Sequence, residues 1–204
     1  SMVMTDADGV VIYDGGLKEI KARGNSTFTY SPKKSYQIKL KEDSDLLGTG
    51  EDVKTWVLLA GYGDATQMHD KFFKDLAEQM GMDYVTSCNW VNLYYDGEYR
   101  GVYLLSEKVS VGGDAVDIED LEKAYEDKNP NYGEDMQTSV GTNKYGQKIQ
   151  FTTGLVDPDS ITGGYLIELN HDFIDEASGF WTKKGVAFNV KGPEWCSEDA
   201  MKYI

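Results

Sequence analysis

The sequence predicts an α+β fold, in which twisted antiparallel sheets are combined with one prominent helix. Short apolar runs alternate with polar residues and are separated by glycine-containing turns, as in antiparallel strands. The dipeptide Asp96-Gly97 lies between two alternating segments and is the expected turn of a β-hairpin. Residues 64–81 carry apolar side chains at spacings of three and four, which is typical of an amphipathic helix.

The central segment is residues 21–40, which is predicted to form a strand, a turn and a second strand. Ile38 and Leu40 alternate with polar residues, so their side chains share one face. Gly24 in the turn permits backbone conformations that a Cβ atom resists. The cations of this segment are Lys21, Arg23, Lys33, Lys34 and Lys39. In a chain with a formal net charge of -15, such a cluster predicts an anionic partner, and phosphate is the obvious candidate.

Before the helix, further strands and one loop are predicted. Short strands are expected at residues 10–13 and 17–22, joined by a glycine-rich turn. Residues 41–54 are polar and are expected to form a surface loop. The continuous apolar run at 56–60 is typical of a strand that is buried on both faces.

The helix at about 64–81 is expected to begin at Asp64, which is a favourable N-cap residue, and to end at Gly81. Its apolar residues form one stripe, which comprises Met68, Phe72, Phe73, Leu76 and Met80. The opposite side is charged and is expected to be solvated; it carries Asp70, Lys71, Lys74, Asp75 and Glu78.

After the helix, the clearest prediction is a hairpin of residues 89–95 and 99–109. Residues 114–129 are acidic and are expected to be partly helical, whereas 129–150 are predicted to be a long loop or insertion. A small meander is expected from strands at residues 164–170, 180–183 and 186–191. Ser197 is the expected cap of a final helix.

Composition argues against several functional classes. The 35 acidic residues outnumber the 20 lysines and arginines, whereas general nucleic-acid binding needs a basic face. No apolar run approaches the roughly 20 residues of a membrane span. Cys88 and Cys196 alone make neither a metal site nor a disulfide scaffold, and whether they pair stays open. We expect one domain over residues 1–204, truncated at its C-terminus because the chain stops about one turn into the final helix.

Several short motifs occur in a fixed order along the chain. The first are Arg23-Gly24-Asn25-Ser26-Thr27, Pro32-Lys33-Lys34 and Tyr36-Gln37-Ile38-Lys39-Leu40. They are followed by Trp56-Val57-Leu58-Leu59-Ala60, Gly63-Asp64-Ala65-Thr66, residues 96–105 with Glu107, Gly164-Tyr165-Leu166-Ile167-Glu168 and Val190-Lys191-Gly192-Pro193. Together these motifs resemble the spore-coat CotH kinase family over most of residues 17–204. Glu168 matches a glutamate of the family, and no role is assigned to it.

The resemblance implies that the intact protein transfers the γ-phosphoryl group of ATP, with Mg²⁺, to Ser or Thr of a partner protein. This chain would be the nucleotide-binding N-terminal portion. No Trp-Asp or Asp-Phe-Asp motif occurs in it, so the catalytic and metal-binding aspartates of the family are expected beyond Ile204, and the portion itself is expected not to catalyse. Two other functions stay open: a non-catalytic interaction module of an extracellular or cell-surface assembly, and an ATP-dependent glutamylation enzyme.

The resemblance also implies which residues bind nucleotide. Lys39 would contact phosphate, although an exposed strand lysine is an equal alternative. Arg23 would be a second phosphate contact, or a structural arginine that binds nearby carbonyl groups. Glu107 would begin the hinge beside the adenine and ribose, or pair with a cation such as Lys108. The remaining candidates for contacts with phosphate or a partner are Asn25, Ser26, Lys33 and Lys34. For the two lysines, a solvent-facing position or a contact with an acidic partner is favoured over a nucleotide contact.

The chain departs from the family pattern at two positions. His69 stands where the family usually has arginine, and Asp70 stands where it usually has asparagine. If that arginine assists phosphate binding in relatives, its replacement weakens the expectation of ATP binding. These departures, together with 14 tyrosines, favour the interaction module. That module would belong outside the cell or at its surface.

Overall fold

The structure, a computed structural model, describes residues 1–24, 26–112, 115–171 and 173–204. The chain forms two compact units, Ser1–Val109 and Ser110–Ile204. That residues 1–204 belong to one domain stays a prediction. Each unit has its own antiparallel sheet and its own hydrophobic cluster, so contacts concentrate within it. Most of the regular structure is strand, with a few short helices, which confirms the α+β prediction.

The first unit consists of a two-stranded ribbon, a five-stranded sheet and two helices. The ribbon pairs β1 (Met2–Thr5) with β2 (Val11–Gly15). The elements that follow are β3 (Leu17–Arg23), α1 (Ser26–Tyr30), β4 (Ser35–Ser44), β5 (Val53–Leu59), α2 (His69–Gln79), β6 (Cys88–Tyr95) and β7 (Glu98–Glu107). The five-stranded sheet has the spatial order β3-β4-β5-β7-β6. Because directly paired residues project from the same face, this register determines which side chains can share a site.

One face of the five-stranded sheet forms the core of the first unit. The buried cluster comprises Ile38, Leu40, Leu46, Trp56, Leu58, Ala60, Tyr103 and Leu105. Met2, Met4 and Tyr13 of the ribbon pack against it. Trp56 and Val57 are both buried although their side chains alternate, which confirms the prediction of a strand covered on both faces.

The connections on either side of β4 differ from the predictions. The turn after β3 contains α1, a short helix that the sequence did not predict. The surface loop predicted at 41–54 is shorter, because β4 extends to Ser44 and β5 begins at Val53. Asp45 closes the remaining turn by accepting hydrogen bonds from the backbone amides of Gly48 and Gly50, each at 2.7 Å.

Helix α2 is shorter than predicted, since it begins at His69 rather than at Asp64. Its N-cap residue is Met68, so the assignment of Asp64 as the N-cap was wrong. The carboxylate of Asp64 instead accepts hydrogen bonds from the backbone amides of Thr66 and His69, both at 2.9 Å. These bonds stabilise a turn that precedes the helix, and this local bonding competes with helical structure.

The two faces of α2 are also placed differently from the sequence prediction. The apolar residues Met68, Phe72, Phe73, Leu76 and Met80 have exposed fractions of 37% to 75%. The half-buried residues of the helix are Lys71, Lys74, Asp75 and Ala77. The charged side is therefore not simply solvated, because Lys74 donates hydrogen bonds to Thr86 and Ser106 and holds that side towards the sheet.

The hairpin of β6 and β7 confirms the clearest local prediction. Asp96 and Gly97 have φ angles of 54° and 77°. Positive values at both central residues are what a type I′ turn requires.

The second unit contains α3 (Leu121–Lys128), β8 (Thr138–Thr142), β9 (Lys148–Thr152), β10 (Leu166–His171), β11 (Gly179–Trp181), β12 (Ala187–Gly192) and α4 (Glu198–Tyr203). Its sheet has the order β10-β12-β11-β9-β8. The predicted acidic helix and the Ser197 cap are present; the Ser197 hydroxyl accepts from the Ala200 amide at 3.0 Å. The three strands of the predicted meander also form, but the meander order was wrong, because β12 pairs with both β10 and β11 and lies between them. The prediction of a loop at 129–150 was wrong in part, because β8 and the start of β9 lie within it and pair with each other. The sequence did not indicate β8, because its residues are mostly polar and show no alternation of apolar and polar types.

Candidate functional site

Arg23 and Lys39 lie on the same face of the five-stranded sheet. Arg23 is directly opposite Ser35, and Ser35 and Lys39 are separated by four positions on β4. Side chains at even spacings along a strand project from one face, so the two cations lie on the side away from the core residue Ile38. Their strand positions are about 14 Å apart along β4.

Within the described part of the chain, neither Arg23 nor Lys39 forms an ion pair. Glu19 lies directly opposite Lys39, but its carboxylate is 3.4 Å from the ammonium group of Lys21. The positive charges of Arg23 and Lys39 are therefore not neutralised, at ion-pair distance, by any carboxylate that the structure describes. Such groups are suited to binding an external anion.

Lys33 and Lys34, by contrast, bind backbone carbonyl groups. Lys33 donates to the carbonyl oxygens of Ala60, at 2.8 Å, and of Val102. Lys34 donates to the carbonyl oxygen of Phe28. Burial lowers the pKa of Lys33. Both ammonium groups stabilise the fold in this way, and a contact with phosphate or a partner stays a prediction.

The other two candidates of this segment are Asn25 and Ser26. Ser26 is the exposed first residue of α1. Asn25 lies outside the described residues. Neither position is tested further by the structure.

An open cleft of about 340 Å³ lies beside Arg23. It is enclosed by the turn after β3, the loop after β5 and the first turn of α2. The charged side chains that line it are Arg23, Lys33, Asp64 and Asp70. A hydrogen bond from the Thr66 hydroxyl, at 2.6 Å, and bonds from His69 hold the pKa of Asp64 well below its usual range. The imidazole of His69 is exposed, and its Nδ1 atom lies 2.8 Å from this carboxylate. This contact helps to stabilise the turn that Asp64 forms before α2.

Glu107 lies on the opposite face from the two cations. It is paired directly with Trp56, and Trp56 is paired with Ile38, so its carboxyl group points to the core side. Only 4% of the residue is exposed. One carboxyl oxygen accepts from the Ser87 amide at 3.3 Å, and the other has no hydrogen-bond partner in the described structure. Burial raises its pKa.

The backbone of Glu107 is also engaged. Its amide donates to the carbonyl oxygen of Ser87 at 3.2 Å, and the amide of Lys108 donates to that of Thr55 at 3.0 Å. The structure therefore places Arg23 and Lys39 on one face of the sheet and Glu107 on the other. A ligand on the Lys39 face would lie across the sheet from the Glu107 carboxyl group, and a hinge role for this residue stays a prediction.

The sequence interpretation missed Lys74, which was assigned to a solvated helix face. The ammonium group of Lys74 lies 2.6 Å from the Ser106 hydroxyl and also binds the Thr86 hydroxyl. Burial lowers its pKa, and the charge of Arg23 acts in the same direction. No pattern in the sequence distinguishes Lys74 from Lys71, which pairs with Asp75 on the same helix.

Three further findings concern metal ligands, the cysteines and membrane-spanning helices. Among the described residues, no group of three or more His, Cys, Asp or Glu side chains is arranged to hold a metal ion. Cys88 and Cys196 are both free thiols. Of the helices that the structure describes, none is long and apolar enough to cross a bilayer.

A comparison with protein families found one match. The model of the family described as CotH kinase protein matches residues 20–153, which is more than half of the chain. The matched range includes Arg23, Lys39, Lys74 and Glu107. Searches of curated proteins and of solved structures found no match.

Proposed function

Because this chain belongs to the CotH kinase family, we propose that it is the nucleotide-binding portion of an atypical protein kinase. The intact protein would transfer the γ-phosphoryl group of ATP to Ser or Thr of a partner protein, outside the cell or at its surface. The observation that carries the proposal is the position of Arg23 and Lys39 on one sheet face, without an ion pair to the described residues. Phosphoryl transfer depends mainly on positioning and on positive charge around the phosphates.

Arg23 and Lys39 would make different contacts with the phosphate groups. Arg23 projects into the open cleft, where its planar guanidinium group can hold two phosphate oxygens at once. Lys39 would supply a compact positive charge farther along the same face. Gly24 allows the backbone beside Arg23 to adopt a φ angle of 98°, which side chains rarely permit.

Mg²⁺ would accompany ATP, and it usually binds through carboxylates and phosphate oxygens. The described residues do not fit a protein cage for it, since no acidic cluster is present and the Asp64 carboxylate is occupied by Thr66 and His69. We therefore assign no step of the reaction to Mg²⁺ and these residues.

A second candidate function is a non-catalytic interaction module. The observation that favours it is the exposed apolar stripe of α2, which contains Phe72 and Phe73 with exposed fractions of 55% and 61%. Exposed apolar patches commonly mark surfaces that bind other proteins. This function would not require discrimination between nucleotides.

Calorimetric titration of the purified chain with Mg²⁺-ATP and with AMP tests the nucleotide proposal. We expect tighter binding of ATP, and we expect Arg23→Ala and Lys39→Ala to weaken ATP binding about tenfold, or about 1.4 kcal/mol. Lys21→Ala is the matched control, because Lys21 lies on the same hairpin but pairs with Glu19. Equal affinity for ATP and AMP, or variants within about twofold of wild type, would contradict the assignment.

An activity assay of the full-length gene product separates the candidate functions. Incorporation of γ-phosphate from ATP into Ser or Thr of a protein supports the kinase. Incorporation of glutamate with consumption of ATP would instead support glutamylation. Neither activity, together with no ATP binding, would favour the interaction module.

A further inference from the structure

We propose that Lys74 of α2 is a third cation of the phosphate-binding surface and contacts the triphosphate of the bound nucleotide. This inference rests on the proposed function and extends it to a residue outside the signature hairpin. Its basis is the position of the Lys74 ammonium group relative to Arg23, Lys39 and the cleft.

The first argument is the position of Lys74 on its helix. Asp70 lines the cleft, and Lys74 follows it by four residues. Residues four apart lie on the same side of a helix, one turn from each other. The side of α2 that borders the cleft therefore continues directly to Lys74.

The second argument is the position of the ammonium group on the sheet. It lies 2.6 Å from the hydroxyl of Ser106, which is paired with Val57, and Val57 is paired with Gln37. This row of side chains projects from the same face as Lys39. Along the strand direction, the row lies about 7 Å from the level of Arg23 and about 7 Å from that of Lys39. Across the sheet, Ser106 on β7 is two strands from Lys39 on β4 and three strands from Arg23 on β3. Lys74 thus reaches the face that carries the two proposed phosphate contacts, at a level between them along the strands.

The third argument is the charge of the surroundings. The direct partners of the Lys74 ammonium group are the hydroxyl groups of Thr86 and Ser106 and the carbonyl oxygen of Thr86. Within the described structure, no carboxylate lies at ion-pair distance from it. Asp70, Cys88 and Glu107 favour its charged form, but burial outweighs them and the nearby Arg23 adds to the effect of burial. A bound anion would stabilise the charged form of a half-buried lysine that lies near a second cation.

Lys71 provides the contrast on the same helix. It forms an ion pair with Asp75, and this raises its pKa. Lys71 is therefore already paired with a carboxylate, whereas among the described residues the partners of Lys74 at hydrogen-bond distance are all neutral. The two residues form a matched pair for experiments.

Titration of variants with Mg²⁺-ATP and AMP tests the inference. We expect Lys74→Met to weaken ATP binding at least fivefold and AMP binding less than twofold, because the cation contacts the distal phosphates. Lys74→Arg should retain most of the ATP affinity, and Lys71→Met should change neither. A purely structural role for Lys74 would instead weaken both nucleotides together, and that result would overturn the inference.

A second readout does not depend on the stability of Lys74→Met. The ammonium group of Lys74 can be titrated by NMR in the wild-type chain labelled at lysine ε-carbons, with Lys74→Arg used to assign its signal. Pyrophosphate should raise the pKa of Lys74 and leave that of Lys71 unchanged. An unchanged pKa of Lys74 would overturn the inference, whatever the behaviour of Lys74→Met.

The two experiments distinguish failure of this inference from failure of the proposed function. If the wild-type chain prefers ATP to AMP but Lys74→Met binds ATP equally well, only the role of Lys74 is wrong. If the wild-type chain does not prefer ATP, the proposed function is wrong, and the pyrophosphate titration then decides whether Lys74 binds phosphate at all.

Discussion

Trp56 and Glu107 lie directly opposite each other in the β5–β7 pair, with exposed fractions of 0% and 4%. This pairing places a carboxyl group beside the largest side chain of the core. It also separates Glu107 from Arg23 and Lys39, which project from the other face of the sheet. The residues with the strongest resemblance to a nucleotide site are thus divided between the two faces of the sheet. Arg23 and Lys39 lie on a face suited to binding anions, whereas Glu107 is buried in the core.

The buried carboxyl group predicts a pH-dependent stability. Burial raises the pKa of Glu107 above its ordinary value of 4.5. The stability that the protonated group contributes is fully present below pH 4.5 and is lost as pH rises through the raised pKa of the folded state. Glu107→Gln is neutral at every pH, so it does not lose this stability as pH rises. Its free energy of unfolding minus that of wild type should therefore be larger at pH 8 than at pH 4.5. Urea denaturation at both pH values measures this difference, and an equal difference would contradict it.

The exposed stripe of α2 predicts an unusual tolerance to polar substitution. Phe73 is 61% exposed, whereas Leu105 is 2% exposed. Phe73→Ser should therefore lower the free energy of unfolding by less than about 1 kcal/mol, while Leu105→Ala should lower it by about 2–5 kcal/mol. Chemical denaturation followed by circular dichroism compares the two. A larger loss for Phe73→Ser would show that the stripe is packed in the core.

The turn beside Arg23 predicts a specific effect of one methyl group. Gly24 has a φ angle of 98°, and a Cβ atom there would lie 2.2 Å from the Thr27 hydroxyl oxygen. Gly24→Ala should displace the turn that carries Arg23 and weaken ATP binding several-fold. Gly48→Ala is the control, because Gly48 has a φ angle of 72° but open space around its Cβ position. It should strain the backbone similarly and leave ATP binding unchanged, and equal ATP affinities of the two variants would refute the prediction.

Lys33 is predicted to matter for stability. Its ammonium group binds the carbonyl oxygens of Ala60 and Val102, and hydrogen bonds to charged groups contribute about 1.5–3 kcal/mol. Lys33→Met should therefore lower the free energy of unfolding by about 1–3 kcal/mol. Lys54→Met should lower it by less than about 1 kcal/mol, because Lys54 pairs with an exposed Asp43. If Lys33→Met instead weakened ATP binding and left stability unchanged, Lys33 would be a ligand contact.

The second unit offers a test of helix capping. The hydroxyl of Ser197 accepts from the Ala200 amide at 3.0 Å and lies 3.2 Å from the Tyr125 hydroxyl. Ser197→Ala should lower the free energy of unfolding of this unit by about 1 kcal/mol. Thermal denaturation of the variant measures the effect, and an unchanged transition would show that the cap contributes nothing.

Local chemistry accounts for the parts of the fold that could be predicted. The type I′ turn needs only two residues that accept positive φ angles, and Asp96-Gly97 supplies them. Ser197 likewise caps α4 through a bond to an amide three residues away. Strand β8 was missed because its stability comes from pairing with β9, which a polar sequence does not reveal.

For the site, the sequence identified the cations but could not assign their partners. Arg23, Lys33 and Lys39 have the same charge within one short segment, so no local pattern separates them. Strand pairing places Arg23 and Lys39 on one face, and the carbonyl groups of Ala60 and Val102 bind Lys33. The orientation of α2 is a similar case, because its amphipathic pattern does not specify which side faces the sheet.

The sequence by itself determined the family, the α+β class and the local elements, because these depend on short motifs and on residues within one or two turns of each other. Only the tertiary structure decided that Glu107 faces the core, that Arg23 and Lys39 share the other face, and that Lys74 reaches Ser106. The physical reason is that burial and ion pairing depend on neighbours distant in sequence. Those neighbours are set by the register and order of the strands.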